Sequence, residues 1–428
     1  MKKFFVFPLL AVVIFASCRK EADYVPYAGN SSKLSYNNYT EQFQYLWKCM
    51  SIGYVFWDVD TVDWDAAYER FLPQFEALDK KYADSGYVRT SELEQIYTKL
   101  VGKMRDHHMT FAVNNLHPAP TDVTKRVIVR PGLLEVQSRD YYIESRSVAQ
   151  NKLRSFLSMI HSYYTVTEND SATAYIPEFG TNVHYHYCLI TLSDGRIVPY
   201  LWTSNSAITP VMRDMVGTTA QRLLDRWLTV VCTTPRAQLA GMILDTRSNG
   251  GGYQDDLDYL VGSFINQRTA IFKTRYKEGP GRLEYSVWCP YYQDPNANYH
   301  RDITAENIPY VVLVDLNSVS MAEIEPMVIR DVFPTAYIIG ERTYGGTGPL
   351  HNDAQSLNYG GPFGDINNYN HYVYTSTFEA LMNGKVCEGE GIIPDLEVLR
   401  ISDPNRSFKP QLDAAINYLL DFSSKRPM

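Results

Sequence analysis

Between Glu278 and Gly384 the chain has no lysine at all, and several other features are equally scarce. No run of five or more basic residues occurs anywhere, and the net charge is −8. A surface that tracks nucleic-acid phosphates therefore has no support. GxGxxG and GxxxxGK[ST] are both missing, which argues against a nucleotide site, and HExxH and CxxC are missing too, which removes the commonest zinc patterns. Only 6 cysteines occur in 428 residues, widely scattered, so no dense disulfide framework is expected. After the first residues, no apolar run reaches membrane-spanning length.

What is present is a globular composition, 45% hydrophobic and 21% charged, long enough for two or three domains. The 33 tyrosines and 6 tryptophans suit ordinary packing, and would also suit platforms that grip extended peptides or sugars. The start, MKKFFVFPLLAVVIFASC, has a short basic beginning, an apolar stretch and small residues before a cysteine. It reads as a secretory signal over 1–17 with a bacterial lipobox at Ala16-Ser17-Cys18, so that Cys18 would carry a lipid. Phe15 stands where leucine is usual, and an ordinary signal cut near Ala16 is the alternative. The expectation is a lipid-anchored protein of the bacterial cell envelope, with 18–35 as a polar tether.

Apolar positions at three- and four-residue spacing (Phe43, Leu46, Trp47, Met50; Leu93, Ile96, Tyr97, Leu100, Met104) predict helices, hence an N-terminal helical module over 36–117. From 118 to 210 short alternating runs predict a separate mixed region with β structure, broken by a hairpin turn at Ser193-Asp194-Gly195. Beyond it, strands at 241–245, 309–315 and 335–340 alternate with helical patterns, the mark of an α/β sheet covered by helices over 211–400. An amphipathic tail in 401–428 is expected to dock on it.

Four stretches carry chemistry. In DLNSVSMAEI, Ser318 and Ser320 lie where the apolar strand Val311–Val314 passes into a helix. Such a serine can simply cap the helix, the commoner reading, or serve as a nucleophile beside backbone amides and the positive helix end. Pro326 should bend that helix. In ILDTRSNGGG, glycines after a buried strand let backbone amides approach a ligand, with Asp245 and Arg247 placed to brace the loop. RDHHMTF offers paired histidines, and EGEGIIPD two carboxylates in a turn.

In this order and wording the four stretches resemble the C-terminal processing peptidases, or tail-specific proteases, and especially their tricorn-core-like branch. These are serine peptidases with the crotonase-like fold of Clp protease subunits. GYVFWDVDTVDWDAAYERFLP and IIGERTYGGTG are similar to further family segments, and the likeness runs from about Tyr45 to Leu419. The resemblance implies an α/β, crotonase/Clp-protease-like core. It implies Ser320 as nucleophile, with Ser318 a bystander. The lysine base of one branch is missing, since Gly345-Gly346-Thr347-Gly348 stands in its place. The base then falls on His108, supported by Glu388, with Gly250, Gly251 and Met321 forming the oxyanion hole. No metal or organic cofactor is implied, and the partner would be a peptide or unfolded protein. His107 replaces the branch's usual serine, so the link from His108 to Glu388 is open, and a PDZ-like module within 118–210 is an open possibility. The rival to an enzyme is a catalytically impaired homologue that binds peptides. A coenzyme A-dependent acyl-transfer enzyme shares the fold type, but an exported chain has no reason to bind a cytosolic cofactor.

Overall fold

The computed structural model describes residues 37–350, 358–364, 371–403 and 406–424. The expected signal, Cys18 and the whole of the expected tether, 18–35, lie outside them.

Three helices, Tyr39–Gly53, Trp64–Ser85 and Thr90–Val101, open the described chain. Asn38 and Asp63 cap the first two, accepting from the amides of Glu41 (2.8 Å) and Ala66 (3.0 Å), which satisfies first-turn donors that a helix cannot pair internally. The spaced apolar residues meet in one cluster, where Phe43 stacks on Phe75 with ring centres 4.6 Å apart and Leu93 and Tyr97 close the far side. The module is not purely helical. Thr110–Asn114 lies in a four-stranded sheet between Arg126–Val129 and His371–Tyr374, with Phe363–Gly364 at the other edge. Two of these strands come from more than 240 positions later in the chain, and no local pattern around residue 110 announces them.

The main sheet has seven strands in the order Leu396–Glu397, Ala336–Gly340, Tyr310–Val314, Met242–Asp245, Ile197–Thr203, Thr181–Thr191 and Val166–Ile176. The first five are parallel and the last two antiparallel. Alternation along the parallel strands feeds two apolar layers. Met242, Leu244, Tyr310 and Val312 pack with the helices Thr219–Thr233 and Met321–Val332. Ile243, Val311 and Leu313 pack with Arg146–Ser158 and with the last helix, Lys409–Ser424, through Leu412, Ala415 and Leu419. This is the helix-covered α/β sheet predicted from the βα alternation.

The expectation of a separate region over 118–210 is corrected here. Its three long strands (166–176, 181–191 and 197–203) extend the main sheet, and Ile197–Thr203 pairs directly with Met242–Asp245. The reason is burial on both faces: Tyr185 and Tyr187 enter one apolar layer, Cys188 and Ile190 the other. A strand apolar on both sides needs a layer on each, which an isolated module of that size does not supply. No self-contained PDZ-like unit occurs among the described residues, because the remaining strand, Arg126–Val129, belongs to the N-terminal sheet. The hairpin turn falls where predicted, with Gly195 at φ +84° donating its amide to the Leu192 carbonyl. Among the described residues no helix is long and apolar enough to cross a membrane.

Candidate active site

The parallel strands Met242–Asp245 and Tyr310–Val314 end side by side, and their two following loops build the floor of a cleft. Asp315 ties the loops together: its carboxylate accepts from the Ser248 amide and hydroxyl, both at 2.7 Å. Ser318 is fully buried and donates to the Thr246 carbonyl at 2.7 Å, a bracing role. Asp245 and Arg247 form the predicted pair, with the guanidinium reaching on to the Phe408 carbonyl at 2.7 Å.

Ser320 differs from Ser318 in every respect. It faces the cleft, and its backbone sits at φ +65°, ψ −127°, a region that costs a non-glycine residue roughly 1–3 kcal/mol. Several contacts hold it there. Its amide donates to the Gly346 carbonyl at 2.9 Å and, more weakly, to the Glu323 carboxylate at 3.3 Å. Its carbonyl starts the helix by accepting from Glu323 and Ile324. That helix runs through Pro326 without a break, and the Ala322 carbonyl, left without a donor by the proline, receives the Thr246 hydroxyl at 3.3 Å.

The glycine loop presses against this turn. A Cβ on Gly251, which lies at φ +77°, would stand 2.4 Å from the Ser320 Cβ and 2.9 Å from the Met321 nitrogen. The expected oxyanion donors are corrected in part. The Gly250 amide donates to the Ser204 carbonyl at 3.1 Å, and the Gly251 amide to the Asn249 side chain at 2.7 Å. Asn249 thus caps its own turn and engages the donor that the sequence appeared to offer. The Met321 amide, first in the helix, finds no acceptor among the described residues, as the position predicts. The amide of Gly252, which lines the cleft, is likewise without an acceptor among the described residues, a donor the sequence reading did not assign.

His108 arrives from the N-terminal module. Asp106 fixes its turn, accepting the His108 amide (2.8 Å), the Thr375 hydroxyl (2.5 Å) and the Ser376 amide (2.8 Å), and so stitches residues 106–108 to the end of strand His371–Tyr374. The imidazole lines the cleft, and its Nδ1 has no partner among the described residues. Burial, then the neighbouring His107 and Arg146, hold its pKa down at about 4 against the opposing pull of the Gly348 carbonyl, so the ring is neutral at pH 7. Gly346 touches both residues: a Cβ there would be 3.4 Å from His108 Nδ1, and its carbonyl holds the Ser320 amide. No hydrogen bond joins Ser320 to His108 directly.

Glu388 is fully buried but does not bond the imidazole. It accepts the amides of His107 (2.7 Å), Thr347 (2.5 Å) and Gly348 (2.5 Å), and burial followed by the Asp106 charge raises its pKa well above the usual carboxylate range. It anchors the two walls on which His108 and Gly346 are mounted. The His107 ring turns aside to the Tyr344 carbonyl, with Nδ1 at 2.8 Å. Oxygens of Asp106 and Glu388 and a ring nitrogen of His108 lie within 4.8 Å of one another. Both carboxylates already accept several N–H and O–H donors, which suits turn anchors better than a ligand shell.

The sequence reading did not assign a role to Glu323. It is buried under the Ser320 turn, accepts the Thr343 hydroxyl (2.5 Å) and the Gly345 amide (2.8 Å), and burial raises its pKa to about 7 against those hydrogen bonds. Its signal was present as the Ser-x-x-Glu spacing of a capping box. The cleft has a volume of about 1170 Å³, and Arg130 and Arg146 also line it, with no carboxylate partner among the described residues. Burial lowers the Arg146 pKa.

With this geometry in hand, residues 219–398, which include the glycine loop, Ser320 and Glu388, match the family described as peptidase family S41. That segment is therefore similar to an S41 peptidase domain. The fold agrees: a candidate peptidase from Parabacteroides merdae superposes with a TM-score of 0.61 at 20% identity, over 92% of this chain and 100% of that one. Mature CPAF complexed with lactacystin gives 0.54 at 12% identity, over 91% and 98%. Both likenesses extend well beyond the S41 segment, so the N-terminal module that supplies His108 is part of the shared fold. No curated protein matches the chain.

Proposed function

We propose that this S41 chain is a serine endopeptidase acting on extended peptides or unfolded proteins in the bacterial cell envelope, anchored through a lipid on Cys18. Ser320 is the nucleophile and His108 the general base, the arrangement of the tricorn-like branch. The observation that carries this reading is the backbone of Ser320, a non-glycine residue at φ +65° opening a helix into the cleft lined by His108. Strain of this kind persists only where surrounding contacts impose it, and it clusters at reacting groups.

The steps follow from the groups in place. The Ser320 hydroxyl attacks the peptide carbonyl while its proton passes to the neutral His108 ring. The negative oxygen of the tetrahedral intermediate is held by the Met321 amide and by that of Gly252, each such donor contributing roughly 3 kcal/mol in known hydrolases. The imidazolium returns the proton to the leaving amine, breaking the C–N bond. Water then enters, gives a proton to the ring and attacks the acyl carbon, and the ring returns that proton to the Ser320 oxygen as its bond to the acyl group breaks. Glu388 and Asp106 act by holding the walls in register.

The rival reading, a peptide-binding homologue without turnover, is favoured by one observation: neither Ser320 nor Glu388 is hydrogen-bonded to the His108 imidazole. Labelling with a serine-directed fluorophosphonate separates the two. The enzyme reading expects labelling of the wild type that is lost in Ser320→Ala and strongly reduced in His108→Ala. An unlabelled wild type that still binds unfolded peptide would sink it in favour of the rival.

A further inference from the structure

A second cleft, of about 870 Å³, lies at the outer end of the layer between helix Arg146–Ser158 and the main sheet. Along most of that layer the facing side chains are apolar, with Leu153 and Phe156 from the helix against Cys188 and Ile190 from the sheet. Towards the strand ends the same face changes character. Register pairs His184 with Thr173 and His186 with Ser171, and the alternation of side chains puts all four on the helix-covered side. From the helix, Asn151, Arg154, Ser155 and Ser158 close over them at three- and four-residue spacing.

Asn151, Arg154, Ser155, Ser158, Ser171 and Thr173 are exposed at this end of the layer and His184 is half-buried, so of these polar residues only His186 is buried. His186 is 5% exposed, and its Nε2 finds no hydrogen-bond partner. Leaving a buried donor or acceptor unpaired is costly, because its bonds to water are lost without replacement. Arg154 has no carboxylate partner among the described residues, and no aspartate or glutamate lines the cleft. His184 engages Thr173 through Nδ1 at 3.0 Å, which leaves its other ring nitrogen available. A guanidinium, two imidazoles and several hydroxyls around a space with no acid is a donor set for a negatively charged oxygen group.

We propose that this cleft binds a small oxyanion of the phosphate or carboxylate kind, free or at the tip of a larger molecule, with Arg154 as the cationic anchor and His186 Nε2–H as the buried donor. The site is distinct from the catalytic cleft. Arg146 and Ser147, at the start of the same helix, face Ser320, while Asn151 to Ser158 face the second cleft. Gln150 separates the two groups by bonding the Ser204 and Ser248 carbonyls at 3.0 and 2.8 Å.

The test titrates the whole protein with inorganic phosphate and, separately, with acetate, at matched ionic strength. Thermal midpoint and the ring resonances of His186 are followed in the wild type, Arg154→Ala, His186→Asn and Arg146→Ala. The expected result is a saturable rise in midpoint together with a shift of the His186 resonances, both weakened about tenfold or more in Arg154→Ala and unchanged in Arg146→Ala. A response to phosphate alone, or to acetate alone, supports the proposal and fixes the chemistry of the occupant. No saturable response to either anion overturns it. So does a response abolished by Arg146→Ala but untouched by Arg154→Ala, which would place the anion in the catalytic cleft. Arg154 is exposed, so its replacement does not endanger the fold, and a misfolded His186→Asn leaves the test intact.

Discussion

At the scale of single residues, Ser320 is held where its own backbone is uncomfortable. Replacing it with glycine removes the penalty along with the hydroxyl. Ser320→Gly is therefore expected to abolish hydrolysis while raising unfolding stability by about 1–3 kcal/mol, whereas Ser320→Ala abolishes hydrolysis with no such gain. Urea denaturation of the three proteins checks this, and a Ser320→Gly protein less stable than the alanine variant would contradict the strain argument. In the proposed mechanism His108 sets the pH response. Its pKa is held at about 4, so kcat/KM should keep its basic form of the catalyst down to about pH 5 and fall on an acid limb near pH 4. A limb near the ordinary 6.5 would mean that the ring is not buried in the working enzyme. Glu323 governs stability in the opposite sense. Its folded pKa, about 7, lies above its ordinary 4.5, so its contribution is complete below about pH 4.5 and disappears as pH rises through 7. In Glu323→Gln the stability loss over that window should shrink, as read from denaturation midpoints across pH.

At the scale of elements, the glycine loop and the nucleophile turn must interlock. Gly251→Ala would drive a methyl into the Ser320 Cβ and the Val319 carbonyl at 2.4 and 2.7 Å, at a positive φ as well. Loss of activity and a destabilisation of about 2–3 kcal/mol are expected. Gly250→Ala meets chiefly the tip of the Asn205 side chain, which can turn away, so its thermal midpoint should fall less. These same elements mark what the sequence could and could not disclose. The strands 242–245 and 310–314 and the helix after Ser320 were readable because their apolar runs are local and buried on both faces. The three strands over 166–203 looked like a region of their own, because alternation along a strand says nothing about which sheet receives it. Glycine spacing identified the loop, but the direction of each amide depends on Asn249 and Ser204, and this is why Gly250 and Gly251 were misjudged. Glu388 could be picked out, yet its bonds to the backbone of His107, Thr347 and Gly348 belong to tertiary packing alone.

At the scale of the whole molecule, the cleft is a seam between the two ends of the chain. Asp106 is the stitch, bonding the histidine turn to Thr375 and Ser376 across more than 260 positions. Asp106→Ala should lower kcat far more than it raises KM and should destabilise the protein by about 2–4 kcal/mol, since several buried donors lose their acceptor together. Steady-state kinetics on an extended peptide, paired with thermal denaturation, reads both effects. An unchanged kcat would show that the histidine turn is held by something else.

That seam also sets when the chain can first cut. The strand that flanks the histidine turn, the hydroxyl and amide that pin it, and the carboxyl that steadies both walls all follow Ser320 in the chain, at 371–374, 375–376 and 388. A polypeptide extended only as far as residue 350 already carries Ser320 and His108 but lacks these contacts. The contacts that hold the histidine turn can form only once residues 371–388 have been made.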